Sequence, residues 1–512
     1  MNQHKYLLGI DLGTSSVKSV IMDVHGQIAA IAQHEYAINT PRPNWAEQDP
    51  EIWWGTTCRT IRKAISMHRL PAAAIAGIGF SGQMHGTVLL DAQRRLLHPA
   101  IIWADQRSMR QANIIMEKVG WQRMGAIACN RVAPGFMAAT LLWLREYEPD
   151  IFSKIQTVLS PKDYVRFRLT GEIGTDFSDA SATLLFDVGR WQWSKPLQEE
   201  LELSDKIFPS MHEAYEIVGK VNSDAARQTG LEVGTPVVAG GGDQPVAAFG
   251  NGIIHDGIVL LTIGTGGQLF TPLRSILFDQ KLRTHTFCHC ILKKWFLMGA
   301  MLSAGLSLKW FREHFDSGNQ ANDYATLSAA AASVMPGAEG LFFLPYLLGE
   351  RTPYMDADAR GGFIGLSFRH NRNHLLRAIL EGVIYGMRDS FEIFKDLGVK
   401  PSYVVVSGGG ANSPVWLQII ADILGCQVMR TLVREQAAVG AAMLAGLGCG
   451  IYKNAEEACR QIITYSSPIE PNPRNVEFYQ DAYQIYRELY PTLKNRFKEL
   501  GRLRTLYPPD FR

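Results

Sequence analysis

The sequence predicts an α/β protein of two like halves with a ligand cleft between them. An apolar strand near the N-terminus, Leu7-Leu8-Gly9-Ile10-Asp11, turns through Gly13 and returns as an alternating strand from Ser16 to Asp23. Half a chain later, 258–263 turns through Gly264-Thr265-Gly266 and returns over 267–270, the same layout. At 512 residues the chain also exceeds the size at which a single core stops growing, so two domains of ordinary size are expected.

The first hairpin reads as a phosphate site. Gly13 is expected to supply the φ > 0 of a tight turn. Successive N–H groups, joined by the Thr14, Ser15 and Ser16 hydroxyls, form a concave donor site suited to phosphate oxygens. Asp11 stands at the strand end, where it can face a hydrated Mg²⁺. Beyond the hairpin, 27–36, 75–80 and 87–91 have strand character. Residues 51–67 read as a helix behind Asp49 as N-cap and Pro50 in the first turn, and 108–119 and 138–146 have helical spacing. Val237-Val238-Ala239 then runs as a buried strand into Gly240-Gly241-Gly242-Asp243 and closes the half, so the expected domains are 1–250 and 251–512.

In the second half, 306–315, 375–394 and 416–424 read as helices and 403–406 as a strand. The Ala/Gly-rich 437–451 reads as a tightly packed internal helix. A Pro-containing connector from Ser466 leads to a Tyr-rich terminal helix over 476–500 that packs along the body. Without a low-complexity linker, the halves are expected to hinge about the cleft.

Composition narrows the function. An apolar content of 46% with 20% charged residues is that of a soluble globular protein, and a net charge of +2 is too small for a nucleic-acid or membrane footprint. The stretch 437–451 is shorter than the ~20 residues a membrane span needs, and Asp11 interrupts the only N-terminal apolar run, so no leader is read. Seven scattered cysteines argue against a disulfide framework and for a reducing compartment, the cytoplasm. Cys288-His289-Cys290 reads as part of a strand over 284–292 with both cysteines on one core face, and no second ligand pair sits at zinc spacing.

Gly240-Gly241-Gly242-Asp243 is the leading catalytic segment. Glycines let a backbone approach a ligand closely, and phosphoryl transfer needs in-line positioning, charge neutralisation and a base for the attacking hydroxyl. An Asp that only supports a Gly turn is the alternative. Gly77-Ile78-Gly79-Phe80-Ser81-Gly82 matches G-x-G-x-x-G but leads into a strand-like run, which argues against a dinucleotide site. It leaves Gln83 and His85 beside a Gly turn, able to hold sugar hydroxyls. Ser407-Gly408-Gly409-Gly410-Ala411-Asn412-Ser413 precedes a helix near Pro414 and allows close approach of a flat or anionic group. No Walker A pattern occurs.

Together these segments resemble the FGGY carbohydrate kinases, and within them the xylulose kinases, collinearly from Leu7 to about Ala445. The matching motifs include Asp11-Leu12-Gly13-Thr14-Ser15, Asn44-Trp45-Ala46-Glu47-Gln48-Asp49-Pro50, Gly82-Gln83-Met84-His85-Gly86 and Pro161-Lys162-Asp163-Tyr164. They continue through Ala239-Gly240-Gly241-Gly242-Asp243, Gly349-Glu350-Arg351-Thr352-Pro353 and Gly408-Gly409-Gly410-Ala411.

The resemblance implies two actin-like (ribonuclease H-like) ATPase domains closing on ATP·Mg²⁺ and a ketose. It implies Asp243 as general base and Asp11 as the acid near the metal and the transferred phosphate. Thr14, Ser15, Lys18, Gly264 and Thr265 would hold phosphates, and Gly409, Gly410 and Ser413 would line the adenosine side. Gln83, Met84, His85, Trp103, Asp105 and Gln244 would shape the sugar pocket. Three positions depart from the pattern: Gln244 where the xylulose kinases carry Asn, Ala104 where Asn is usual, and Gly266 where the second loop has Ser. The first two fall where the sugar should sit.

The implied activity is ATP-dependent phosphorylation of a ketopentose, D-xylulose first, with D-ribulose, L-ribulose or a pentitol as alternatives. An Hsp70- or actin-like switch would need a further module, and the match leaves only a terminal helix. A non-catalytic sugar sensor is countered by retention of both Asp11 and Asp243. The expected partners are the sugar and ATP, with no nucleic acid and no membrane, and a homodimer is left open.

Overall fold

The computed structural model describes residues 5–68, 70–315 and 323–506. The first sheet contains β1 (Tyr6–Leu12), β2 (Ser16–Asp23), β3 (Ile28–Glu35), β4 (Ile75–Gly82), β5 (Ile217–Lys220) and β6 (Pro236–Val238) in the order β5-β6-β4-β1-β2-β3. The short β7 (Gly241–Gly242) lies alongside the end of β4. The second sheet contains β8 (Ile258–Ile263), β9 (Gly267–Leu273), β10 (His285–Cys288), β11 (Trp295–Met301), β12 (Tyr403–Ser407) and β13 (Val428–Arg430) in the order β10-β11-β9-β8-β12-β13.

The two sheets repeat one topology. In each, an antiparallel three-strand meander is followed by two strands parallel to the first: β3-β2-β1-β4-β6 and β11-β9-β8-β12-β13. The parallel strands are buried on both faces, which is why their sequences read as continuous apolar runs.

Helices cover both sheets: α1 (Pro50–His68), α2 (Pro161–Thr170), α3 (Phe177–Ala182) and α4 (Asp243–Gly250) in the first half, then α5 (Gly305–Phe315), α6 (Arg372–Asp396), α7 (Pro414–Leu424), α8 (Gln436–Gly448) and α9 (Pro473–Leu506). Asp49 accepts the Glu51 N–H at 2.9 Å ahead of α1, as its sequence predicts. Ser413 does the same for Trp416 at 3.1 Å ahead of α7, which ends at Gly425 with φ 63°. The tyrosines of α9 form one stripe on α6: Tyr479 donates to Glu381 and Tyr483 to Asp389, at 2.6 and 2.7 Å. Among the described residues no helix is long and apolar enough to cross a membrane.

Three expectations are corrected. Gly13 does not adopt the left-handed region; its turn is closed by its own N–H on the Ser16 carbonyl at 3.0 Å, and a Cβ would stand 3.3 Å from that oxygen. The strand expected over 284–292 stops at Cys288, so the two cysteines part company. Cys288 faces the Val188 carbonyl, and Cys290 the Pro245 carbonyl in a different core. Asp243 begins a helix rather than ending a strand.

Although it comes from the far end of the chain, α8 lies on the first sheet. A Cβ on Gly9 would fall 1.8 Å from the Ala438 carbonyl oxygen, and one on Gly79 1.9 Å from that of Ala441. The same backbone-to-backbone approach joins α8 to α4, where a Cβ on Gly440 would meet the Val246 carbonyl at 2.1 Å. Val246, Phe249, Leu7, Val20 and the apolar residues of α8 form one core across both halves. Gly9→Ala cannot be absorbed by a rotamer change, because the obstacle is backbone. Overpacking of this kind costs about 1–3 kcal/mol and more where nothing yields, so we expect Gly9→Ala to lose at least ~2 kcal/mol in denaturant unfolding.

Candidate active site

The site forms at the carboxyl ends of three adjacent strands. Ser81 on β4 is flanked in register by Asp11 of β1 on one side and Gly241 of β7 on the other. With strands about 4.8 Å apart, Asp11 and the Gly242–Asp243 turn stand on either side of one strand. Gly240, at φ 76°, makes the bend possible; a Cβ there would meet the Phe80 carbonyl at 2.6 Å. Ser81 donates to Asp11 at 2.9 Å.

Burial raises both acids, Asp11 to about 6 and Asp243 to about 7, and the Asp11 charge pushes Asp243 up further. Hydrogen bonding from Gln244 offsets part of the shift at Asp243.

A buried ionic cluster fixes this turn from behind. Lys162 Nζ sits 2.7 Å from Asp163, 2.8 Å from Asp176 and 3.1 Å from Asp179. Arg166 pairs with Asp163 at 2.9 Å and donates to the Ala239 carbonyl. Asp176 accepts from Ser178, whose Oγ accepts the Gly242 N–H at 2.9 Å. A Cβ on Gly82 would be 2.7 Å from the Lys162 Cβ. Three acids meet two cations here, and burial, the dominant cause, holds Asp179 well above the ordinary carboxylate range.

The sugar-side residues divide into those that face the cleft and those that hold it. His85, at φ 69°, stacks on Phe136 with ring centroids 3.9 Å apart. Burial lowers its pKa to about 4. Because Nδ1 bonds the Ala182 carbonyl at 2.9 Å, the neutral ring donates there and presents Nε2 as an acceptor. Met84 packs over Gly242, beside Asp243. Gln83 is buried, donates to Gln48 at 2.9 Å, and leaves its Oε1 without a partner. Gln48 in turn donates to the Thr14 carbonyl at 2.7 Å.

Trp103 donates to the Thr14 hydroxyl oxygen at 2.9 Å. Asp105, expected in the sugar pocket, is fully buried and already occupied: it accepts the Ala46 N–H at 2.6 Å and pairs with Arg107 at 2.8 Å. It positions the loop beneath Trp103 rather than meeting a ligand.

On the nucleotide side, Gly264, Thr265 and Gly409 are exposed. The Gly264 and Thr265 carbonyls take N–H groups from the start of α5 at 2.9 and 3.0 Å, which turns the loop's other face outward. Ser15 is exposed beside Thr14. Lys18 is ion-paired with Glu435 at 2.6 Å, across the two halves. Gly410 is buried against Ile263, and the Ser413 hydroxyl is bonded to Trp416 and Ser328, so both help shape the turn. Gln48, Ser81 and Phe136 were not singled out as site residues; Gln48 and Ser81 lay in quoted segments and Phe136 in none, and contacts to Thr14, Asp11 and His85 reveal all three.

The family model for the N-terminal domain of the FGGY carbohydrate kinases matches residues 6–250, and that for the C-terminal domain matches 259–449. The chain belongs to the FGGY family of carbohydrate kinases. It is 38% identical over 491 residues to a xylulose kinase of Bacillus subtilis, covering 96% of this chain and 98% of that one. It is 38% identical over 487 residues to one from Escherichia coli, covering 95% and 99%. The crystal structure of a xylulose kinase from Rhodospirillum rubrum superimposes with a TM-score of 0.90 at 30% identity, covering 96% of this chain and all of that one.

As an FGGY kinase the chain acts on a sugar and ATP, and the doubled sheet is the actin-like architecture of that fold. Replacing Lys162 by Met would leave three buried carboxylates against one arginine. Breaking a buried pair in this way costs about 3–5 kcal/mol, and we expect Lys162→Met to lose that much in denaturant unfolding.

Proposed function

We propose that this kinase transfers the γ-phosphoryl group of ATP to the terminal C5 hydroxyl of a ketopentose, D-xylulose first. The observation that carries the reading is the pair of raised carboxylates, Asp11 and Asp243, flanking one strand end beside the His85 turn. The full-length similarity to xylulose kinases supports the choice of sugar.

In this reading Asp243 is the general base. An acid held near neutrality both exists as the carboxylate and takes up a proton readily at working pH. It accepts the proton of the C5 hydroxyl as that oxygen forms its bond to the γ-phosphorus; the bond to the bridging oxygen breaks and ADP leaves with the electron pair. His85 Nε2 accepts from a sugar hydroxyl, and Gln244 orients the Asp243 carboxylate. The Thr14–Ser15 turn and the Gly264–Thr265 loop cradle the phosphates from the two halves, with Lys18 beside them, and the adenosine lies against Gly409.

The residues present fit Mg²⁺. Among the described residues no group of three acidic, His or Cys side chains is placed to hold a metal ion by itself, and Mg²⁺ keeps most of its waters while using one or two carboxylates with substrate phosphates. Asp11 would hold it, and the ion would neutralise phosphate charge. We take 1–250 as the sugar half and 251–512 as the nucleotide half. Seven free cysteines support a reducing compartment, the cytoplasm.

A coupled ADP-release assay over ketoses and polyols tests the reading. We expect the highest kcat/KM with D-xylulose and a poor one with glycerol, which leaves several polar groups unpaired. A value for D-xylulose below that for glycerol or an aldohexose would refute it.

Asp243→Asn should lose about 10²–10⁴ in rate while ATP binding persists. In the parent, kcat/KM should be flat above Asp243's value of about 7 and fall roughly tenfold per pH unit below it, as the base becomes protonated. A profile level down to pH 5 would remove Asp243 from this role.

A further inference from the structure

We propose that Arg351, carried by the second half, reaches across the cleft and holds the carbonyl end of the ketose, so that it is a specificity-determining residue. This rests on the ketose reading above.

The backbone at Arg351 is fixed on every side. Its N–H donates to Glu350 Oε1 at 2.6 Å, its carbonyl accepts the Met355 N–H at 2.6 Å, and the next residue, Thr352, donates to Ala300 of β11 at 3.0 Å. Glu350 Oε1 also accepts the Leu302 N–H at 3.2 Å, which ties the loop to the end of β11. The side chain mounted on this rigid loop has no hydrogen-bonding partner. Among the described residues its guanidinium makes no hydrogen bond and no ion pair; its cationic carbon lies 5.4 Å from the centroid of the Trp103 ring, on the first half.

A half-buried guanidinium with five donors and no acceptor is costly unless a ligand supplies the acceptors. No described side chain accepts from it, and the neighbouring Glu350 carboxyl acts on it only through its charge. Its charge is felt by His85 and His285, which burial chiefly and Arg351 in addition hold neutral at about 4 and about 3. His85 stacks on Phe136 and His285 on Phe287, with centroids 3.9 and 5.7 Å apart. Lys18 and Glu435 are the charged groups that act on Asp11. One cation therefore serves the phosphoryl end and another the histidine end.

With C5 at Asp243, the sugar's C2 carbonyl and C1 hydroxyl point toward the histidine end. These two adjacent oxygens suit a planar fork of donors, which Lys, a point charge, cannot reproduce.

The test compares the parent, Arg351→Gln and Arg351→Lys on D-xylulose and on D-arabinitol, which has an alcohol at C2. Loss of a charge-assisted hydrogen bond corresponds to roughly 10–100-fold. We expect Arg351→Gln to raise KM for D-xylulose by that factor with kcat changed less than about threefold. The kcat/KM for D-arabinitol should change less than about threefold, so that the preference between the sugars collapses. Arg351→Lys should recover only a minor part of the loss.

Thermal melting establishes that each variant is folded; if Gln does not fold, Lys carries the test, with a KM for D-xylulose raised at least about threefold. An unchanged KM, an equal loss on both sugars, or a loss confined to kcat would overturn the assignment. Those outcomes with normal parental turnover of D-xylulose remove Arg351 alone. A parent that favours glycerol over D-xylulose removes the ketose reading and this inference with it.

Discussion

The Lys162 ammonium, buried among Asp163, Asp176 and Asp179, is the interaction on which the geometry of the site depends. Its partners come from two helices and the turn between them, and their remaining lone pairs reach the Gly240–Gly242 bend through Ser178 and Arg166. A glycine bend is the most pliable kind of backbone, since it loses the most freedom on folding. An array of fixed charges in low dielectric is among the stiffest of supports. The first holds Asp243, and the second holds the first. Burial chiefly, with the charges of Asp176 and Asp163 in addition, drives one of its acids, Asp179, toward its neutral form.

The two halves share a topology but not a chemistry. Where β1 places Asp11 against Ser81 of β4, β8 places Thr262 against Ser407 of β12, hydroxyl to hydroxyl at 2.9 Å. The carboxylate survives in one copy only. A phosphate chain lying between two acidic hairpins would be repelled from both sides, whereas one acid beside a metal and one neutral donor loop can grip it from both. In the proposed reading, sugar-side polar groups cluster on the first half because Asp243, the base, stands there.

Much of this was legible in the sequence because the signals were local. The hairpins, the capped helix behind Asp49, the Ala/Gly helix and the strand after the G-x-G-x-x-G run all follow from periodicity and turn chemistry acting within a few residues. What was not legible came from residues that meet across the chain. Asp105 looked like a free acid until Arg107 and Ala46 were seen to occupy it. Ser413 looked available until its hydroxyl was found capping α7. Arg351 sat in a quoted motif without a role, because nothing in its own segment reveals that Trp103 lies opposite. The cysteine pair at 288 and 290 misled for a related reason: alternation predicts a shared face only while the strand lasts, and it ends at the first of them.

The position of α8 bears on how the polypeptide matures. Gly9 and Gly79 carry no side chains with which to shield their strands, and the helix that shields them leaves the ribosome long after they do. The nascent first half therefore waits with a bare furrow of backbone and apolar surface along its sheet, a surface that chaperones hold and that other nascent chains can stick to. Only when residue 448 has been made can that furrow close, and it closes for both halves at once. The enzyme is thus two lobes in shape and a single unit in its folding.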